Sequence, residues 1–353
     1  MISTDAYAAE NPVSALAPYV LDRRELGPHD IEIDILFCGV CHSDIHTIRG
    51  DWGAQNYPFV PGHEIIGRVA GRGAEVTKFE PGDVVGVGCM VDSCQRCEPC
   101  ANGTEQFCEN GFTGTYSGIE KETGRPTYGG YASRIVVNDK FVLRIPRNMD
   151  LAGTAPLLCA GITTYSPLRH WKVGAGQKVG IVGLGGLGHV ALKLAKAMGA
   201  NVILFTTSPG KADDARRLGA SEVVLSSDPH AMASHAASLD FLLDTVSAPH
   251  ELDLYLELLK LDGTMTLVGM PAHPHPSPQP SSLILKRRSL AGSITGGLPE
   301  TQEMLDFCGE HGILADVEVI PMDMVNAAYE RLLAGDVKYR FVIDMATLKR
   351  TVA

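Results

Sequence analysis

No run of the chain approaches the ~18 unbroken apolar residues of a membrane-spanning helix, so a bilayer is not its expected solvent. Positive charge is scarce as well: 30 Lys and Arg stand against 41 Asp and Glu, a formal net charge of −11. That balance argues against the basic footprint by which proteins hold nucleic acid. The opening residues, MISTDAYAAENPVSALAPY, lack a basic start followed by an apolar stretch, so no secretory leader is expected. Nine cysteines without an export signal are then expected to stay reduced in the cytoplasm and to serve as metal ligands.

What is present points to two domains. At 353 residues the chain is long enough for two cores, and 45% hydrophobic residues suffice to fill them. The first part is rich in short strands and glycine turns. Ile31, Ile33 and Ile35 alternate with Glu32 and Asp34, the period of a half-buried strand. Gly82–Gly88 and Tyr131–Val137 read as further strands. From about Lys178 the rhythm becomes strand, turn, helix. Strands are expected at Lys178–Val182, Val202–Phe205, Glu222–Leu225, Phe241–Asp244, Thr264–Gly269 and Arg288–Gly292, with a helix at His189–Met198. Six strands with helical crossovers imply an α/β, doubly wound parallel sheet. After Pro299 come a helix, a strand at Val317–Ile320, a helix at Met324–Ala334 and a last strand at Tyr339–Ile343. Pro271–Pro276 reads as a surface loop, and Cys38, Cys89 and Cys308 as small buried fillers.

Three clusters carry chemistry. Cys94, Cys97, Cys100 and Cys108 are separated by two, two and seven residues. Such spacing lets four thiolates close on one zinc ion with no position left for substrate, a structural site; a pair of disulfides is the competing reading. Gly183-Leu184-Gly185-Gly186-Leu187-Gly188 follows a strand and opens a helix, the context that gives this motif its meaning. Gly183 allows the tight turn, Gly185 lets a pyrophosphate approach the backbone, and Gly188 permits close helix–sheet packing. An NAD site places an acid at the end of the second strand. Here that end reads Phe205-Thr206-Thr207-Ser208-Pro209-Gly210-Lys211, hydroxyls and a lysine that suit a 2′-phosphate, so NADP(H) is favoured. The plain alternative for Lys211 is a solvated residue at a helix start.

The third cluster is dispersed: Cys41, His63 with Glu64 beside it, and Cys159. Two thiolates and one imidazole make a catalytic zinc set with a fourth position open. Zinc there acts as a Lewis acid on a carbonyl or alcohol oxygen. Glu64 is an occasional ligand or a neighbour of the set.

With these motifs in order, CGVCHSDIH, PGHEIIGRV, the four-cysteine lobe, CAGITTYSPL, GLGGLG and TTSPGK, the chain resembles the zinc-dependent medium-chain alcohol dehydrogenases. The branch is the cinnamyl-alcohol-dehydrogenase-like one that includes bacterial NADP-dependent aldehyde reductases. The resemblance implies a GroES-like, mostly β catalytic domain over 1–155 and 299–353, with the zinc lobe at about 89–112, and a Rossmann NADP-binding domain over 156–298. It matches Cys41, His63 and Cys159 to the catalytic zinc, Glu64 to its alternative ligand, and the four lobe cysteines to a structural zinc, two ions per chain. Ser43 and His46 fall where the family keeps a proton relay, and Asp51 matches an acid near its exit, though a solvated turn residue would read the same. Thr163, Val268, Ser293 and Ile294 resemble contacts to the nicotinamide. Trp52 matches a substrate-pocket position and Phe112 is a second candidate; core packing is the alternative for both.

The expected activity is reversible hydride transfer between NADP(H) and a primary alcohol–aldehyde pair, aromatic or medium-chain apolar, in a homodimer. Two other readings remain: a natural-product reductase acting on C=C or iminium bonds, and a non-enzymatic zinc- or dinucleotide-binding protein.

Overall fold

A computed structural model describes residues 1–348. Its chain divides into two compact units, one of Met1–Cys159 with Gly296–Ala353, the other of Ala160–Thr295. No helix among the described residues is long and apolar enough to cross a membrane.

The first unit begins with a two-stranded antiparallel hairpin, β1 (Ile2–Ala8) and β2 (Ala17–Arg23). Its main sheet contains β3 (Asp30–Val40), β4 (Ile65–Arg72), β5 (Val84–Val87), β8 (Arg134–Asn138) and β9 (Leu143–Arg144). A small pair, β6 (Met90–Asp92) and β7 (Thr113–Gly114), brackets the cysteine lobe. Ile31, Ile33 and Ile35 are buried between half-exposed Glu32 and Asp34, as their alternation requires. The chain end returns to this sheet after the second unit. There β16 (Val317–Pro321) lies parallel to β17 (Arg340–Asp344), and β17 runs antiparallel to β3, with Phe341 opposite Val40 and Ile343 opposite Cys38. Phe341 and Ile343 are fully buried in one core with Ile31, Ile33, Val69 and Val85. Hence the first unit needs both ends of the chain.

The second unit holds six parallel strands: β10 (Lys178–Val182), β11 (Asn201–Thr206), β12 (Glu222–Leu225), β13 (Leu239–Asp244), β14 (Leu259–Leu267) and β15 (Ser289–Gly292). Their spatial order is β12-β11-β10-β13-β14-β15, so the winding reverses between β10 and β13. Val202, Ile203 and Leu204 are consecutive and all buried, the mark of a strand covered on both faces. Helix Gly188–Ala197 buries Val190, Ala191 and Leu194.

Some boundaries differ from those expected. The strand near Tyr131 starts only at Arg134, because Gly129, Gly130 and Tyr131 donate their amides to Val60, Gly62 and Pro61 instead of β3. β14 begins at Leu259, five residues before the Thr264 expected, behind an irregularity in its pairing with β13. Its early part, Lys-Leu-Asp-Gly, has no strand-like pattern. Cys38 and Cys308 are buried as expected, but Cys89 is only half-buried.

Candidate active site and metal centres

The four lobe cysteines are brought together. Their sulfurs all lie within 4.8 Å of one another, with 3.9 Å both from Cys94 to Cys100 and from Cys97 to Cys108. A tetrahedron with ~2.3 Å metal–sulfur arms has edges of ~3.8 Å, whereas a disulfide requires ~2.05 Å. The donor set therefore fits zinc, and all nine cysteines are free. Local backbone prepares the set: the Cys97 N–H donates to the Cys94 sulfur at 3.3 Å and the Cys94 N–H to the Cys108 sulfur at 3.4 Å. Backbone donors at Arg96 and Cys97 pull the Cys94 thiol down to about 5, while burial pushes Cys100 up to about 11.

The second set also converges. Cys41, His63, Glu64 and Cys159 each offer a ligand atom within 4.8 Å of the others. Helix His42–Arg49 begins here because Asp44 folds back to accept the Cys41 N–H at 2.9 Å. Asp44, fully buried, also accepts the Gly62 N–H at 3.1 Å and the Tyr131 hydroxyl at 3.3 Å, and faces Nδ1 of His63 at 3.1 Å. That last contact puts the His63 ring proton on Nδ1 and leaves Nε2 as the free donor to a metal. Asp44 raises the His63 pKa well above the ordinary value even though burial works the other way. A hydrogen bond from Cys159 holds the Cys41 thiol well below the usual range, and the same bond with Cys89's pushes Cys159 up. Glu64 is pushed up to about 8 by burial, against the pull of Arg340. One Glu64 oxygen pairs with Nη2 of Arg340, and the other is buried without a hydrogen-bond partner. Two sulfurs, one correctly presented imidazole and an orphaned carboxylate oxygen fit a zinc ion.

Ser43 and His46 lie on the same helix, one turn apart. Ser43 Oγ accepts from the Cys41 thiol at 3.5 Å. His46 Nδ1 faces Asp51 Oδ2 at 2.7 Å. Trp52 stacks on the His46 ring with centroids 5.0 Å apart and stays 36% exposed, so its visible contact is with the histidine. Phe112, half-buried, packs against the core of the first unit.

In the second unit the glycine-rich turn follows β10 directly. Gly183 has φ +88°, a conformation that disfavours any side chain, and a Cβ on Gly188 would overlap the Gly183 carbonyl. A Cβ on Gly185 meets nothing within 4 Å, which leaves the space a pyrophosphate needs. Leu184 is buried beneath the turn, while Gly186 and Leu187 are half-buried. Past β11, Thr206 is buried, Thr207 exposed and Ser208 half-exposed. Lys211 reaches across to donate its ammonium to the Leu184 carbonyl at 2.9 Å, a positive charge set against the turn. These residues fit an NADP(H) molecule. Val268 and Ser293 stand at the ends of β14 and β15, where their amides donate to Asp244 and Leu267 carbonyls, and Ile294 beside them is exposed. Thr163 is half-buried in helix Ala160–His170.

Sequence reasoning missed Asp44, Arg340 and Tyr116. Tyr116, half-buried against the core of the first unit, lies edge-on to His63 with centroids 5.2 Å apart. Asp44 had a local signal, an acid three residues after the residue that caps a helix. Arg340 lies 276 residues from Glu64 and had none.

Residues 27–147 match the alcohol dehydrogenase GroES-like domain and residues 186–310 the zinc-binding dehydrogenase domain. The chain is 58% identical to the aldehyde reductase YahK of Escherichia coli, over 97% of both chains. It is 54% identical to the NADP-dependent alcohol dehydrogenase C 1 of Mycolicibacterium smegmatis, over 99% of this chain and 100% of that one. Among solved structures, a cinnamyl alcohol dehydrogenase from Sorghum bicolor superposes with a TM-score of 0.96 at 45% identity, covering 99% of this chain and 100% of its own. The chain belongs to the zinc-binding alcohol dehydrogenases, oxidoreductases in which a GroES-like domain accompanies a parallel-sheet Rossmann domain.

Proposed function

We propose that this chain is a zinc-dependent, NADP(H)-linked alcohol dehydrogenase that works chiefly as an aldehyde reductase on primary alcohol–aldehyde pairs, aromatic or medium-chain apolar. The observation that carries the reading is the convergence of Cys41, His63 and Cys159, with Ser43 against one of the ligands and a His46–Asp51 pair one helical turn away. The names of the similar aldehyde reductase and NADP-dependent alcohol dehydrogenase support it.

Aldehyde, NADPH and one proton give alcohol and NADP⁺. When bound, zinc supplies Lewis acidity toward the carbonyl oxygen and the nicotinamide supplies the hydride. The chain's own side chains handle the proton. Ser43 donates from Oγ and is resupplied by way of His46, whose Nδ1–H is held by Asp51 so that Nε2 can take and give the proton. Asp44 keeps the His63 ring in place, and Arg340 keeps Glu64 beside the set without letting it leave. Lys211, with Thr206, Thr207 and Ser208, reads the 2′-phosphate, and Gly183–Gly188 holds the pyrophosphate on backbone amides. Thr163, Val268, Ser293 and Ile294 hold the nicotinamide. Trp52 and Phe112 bound the substrate, and the two units act as catalytic and cofactor domains.

We further infer a cytoplasmic homodimer. β15 has a neighbour on one side only among the described residues, and an uncovered edge invites pairing across a two-fold axis. A scattering mass of one 37.7 kDa chain at micromolar concentration would contradict the dimer. The activity is tested by following NADPH absorbance with benzaldehyde or cinnamaldehyde. Consumption that a chelator abolishes is expected; consumption indifferent to metal removal would overturn the zinc-dependent reading.

A further inference from the structure

A third set of metal-ligating side chains lies in the Rossmann unit, with no cysteine in it. Asp244, the last residue of β13, meets His250 from the loop that follows and His275 from the proline-rich loop after β14. Their ligand atoms lie within 4.8 Å of one another. Asp244 is 1% exposed, yet its Oδ2 has no hydrogen-bond partner; Nε2 of His250 and Nε2 of His275 are likewise buried and unpartnered. Three orphaned polar atoms converging on one point are costly unless something joins them.

The remaining contacts say what that something is. Asp244 Oδ1 accepts the Val246 N–H at 3.1 Å, so Oδ2 is the free oxygen. His250 Nδ1 faces the Ala248 carbonyl at 2.9 Å and must donate to it, which leaves a lone pair on Nε2 of the neutral ring. That nitrogen sits 3.0 Å from Asp244 Oδ2, out of hydrogen-bond alignment with it. Two lone pairs at this distance call for a positive charge between them, either a metal ion or a second proton on His250. The backbone carbonyl that fixes the His250 tautomer is the outer partner metal-bound imidazoles typically have. The His250 N–H also reaches Nδ1 of His275 at 3.3 Å. Ligation through Nε2 of His275 gives up this long contact, and the ring already lies edge-on to that of His250 with centroids 4.7 Å apart.

We propose that Asp244, His250 and His275 form a third metal site, taking zinc or a similar borderline divalent ion such as cobalt(II) or nickel(II). Two imidazoles and one carboxylate suit these ions better than magnesium or calcium. With three protein ligands the site keeps a position for water, and without thiolates it exchanges faster than the two cysteine-containing sets. The ion ties together the loops that follow neighbouring strands β13 and β14. It does so next to the dinucleotide turn, since a Cβ on Gly183 would touch Val246 at 3.0 Å.

The test uses enzyme first brought to two zinc ions per chain by brief dialysis against a weak chelator, which empties the faster-exchanging third site, and then dialysed against micromolar cobalt(II), with both metals counted per chain. The expected result is one cobalt beyond an undiminished zinc content, with weak visible bands and no intense thiolate-to-cobalt charge-transfer band. Such a band with loss of zinc would mean exchange into the cysteine sets and would overturn the proposal, as would no cobalt uptake, the outcome for a protonated His250 paired with Asp244. H275Q, an exposed-loop change that spares the β13 end, should weaken cobalt binding by at least the roughly 10- to 100-fold that losing an outer partner costs. H250Q should do the same, and H273Q, on the same loop, should bind as the parent does. Unaltered binding in H275Q overturns the assignment even if H250Q folds poorly.

Discussion

His46 and Asp51 form a pair at 2.7 Å on the rim of helix His42–Arg49, and the Trp52 ring lies on the imidazole like a lid. An imidazole held at Nδ1 by a carboxylate presents Nε2 for proton transfer and stays oriented while it does so.

If Ser43 and His46 carry the proton, Ser43→Ala should slow aldehyde reduction and alcohol oxidation at neutral pH by about 100- to 10,000-fold. His46→Ala should cost less, because the ring stands near solvent and water replaces part of its role. Asp51→Asn should also slow both directions, and by less than Ser43→Ala, because it loosens the His46 ring without removing it. Zinc content and NADPH affinity should be unchanged in all three. Parent rates in Ser43→Ala, with a deuteride isotope effect showing chemistry to be rate-limiting, would rule the relay out.

Gly39 and Glu64 constrain each other across the second metal set. A Cβ on Gly39 would overlap Oε2 of Glu64, whose carboxylate is fully buried and whose other oxygen is paired with Arg340. Gly39→Ala should therefore lower the unfolding free energy by about 1–3 kcal/mol, the cost of overpacking a filled interior. Urea unfolding of the zinc-loaded protein checks this. An unchanged midpoint would mean that Glu64 moves aside freely.

The parts of this site that were legible in sequence are those whose chemistry is local. Four cysteines within fifteen residues, or a glycine turn between a strand and a helix, carry their geometry in their spacing. Cys41, His63 and Cys159 were recognisable because thiol and imidazole are scarce enough for a dispersed set to stand out. Arg340 was not: arginines are common, and only the pairing of β17 with β3 brings this one to Glu64. The β1–β2 hairpin was also invisible, since ISTDAYA carries no clean apolar alternation and Pro18 interrupts its partner. His275 lay in a loop whose prolines advertise a surface turn and conceal a side chain that points back to Asp244.

Lys211 should set cofactor preference. Its ammonium is anchored at the Leu184 carbonyl, 2.9 Å away, and no acid stands at the end of β11 to repel a 2′-phosphate. A charge-assisted hydrogen bond contributes about 1.5–3 kcal/mol, so Lys211→Ala should weaken NADPH binding roughly 10- to 100-fold and leave NADH almost unaffected. Fluorescence titration with both cofactors measures the contrast. Equal losses would assign Lys211 to holding the turn and not to reading the phosphate.

The cysteine lobe allows a prediction about protons. Zinc binds thiolates, so each thiol still protonated at the working pH must release a proton as the ion enters. Cys94 is drawn down to about 5 by the amides of Arg96 and Cys97, so at pH 7 it is already ionised and releases nothing. Cys100, pushed up to about 11 by burial, is still protonated and must release one. Zinc uptake by metal-stripped lobe at pH 7 should therefore release fewer than four protons per ion. Cys100→Ser should reduce the count, whereas Cys94→Ser should leave it unchanged while weakening binding. Stopped-flow mixing with a pH indicator in weak buffer reads the number directly, in a protein carrying Cys159→Ala and His275→Gln so that uptake at the lobe alone is observed. Four protons per zinc would mean that the amides around Cys94 do not hold a thiolate before the metal arrives, and that the lobe is organised by zinc alone.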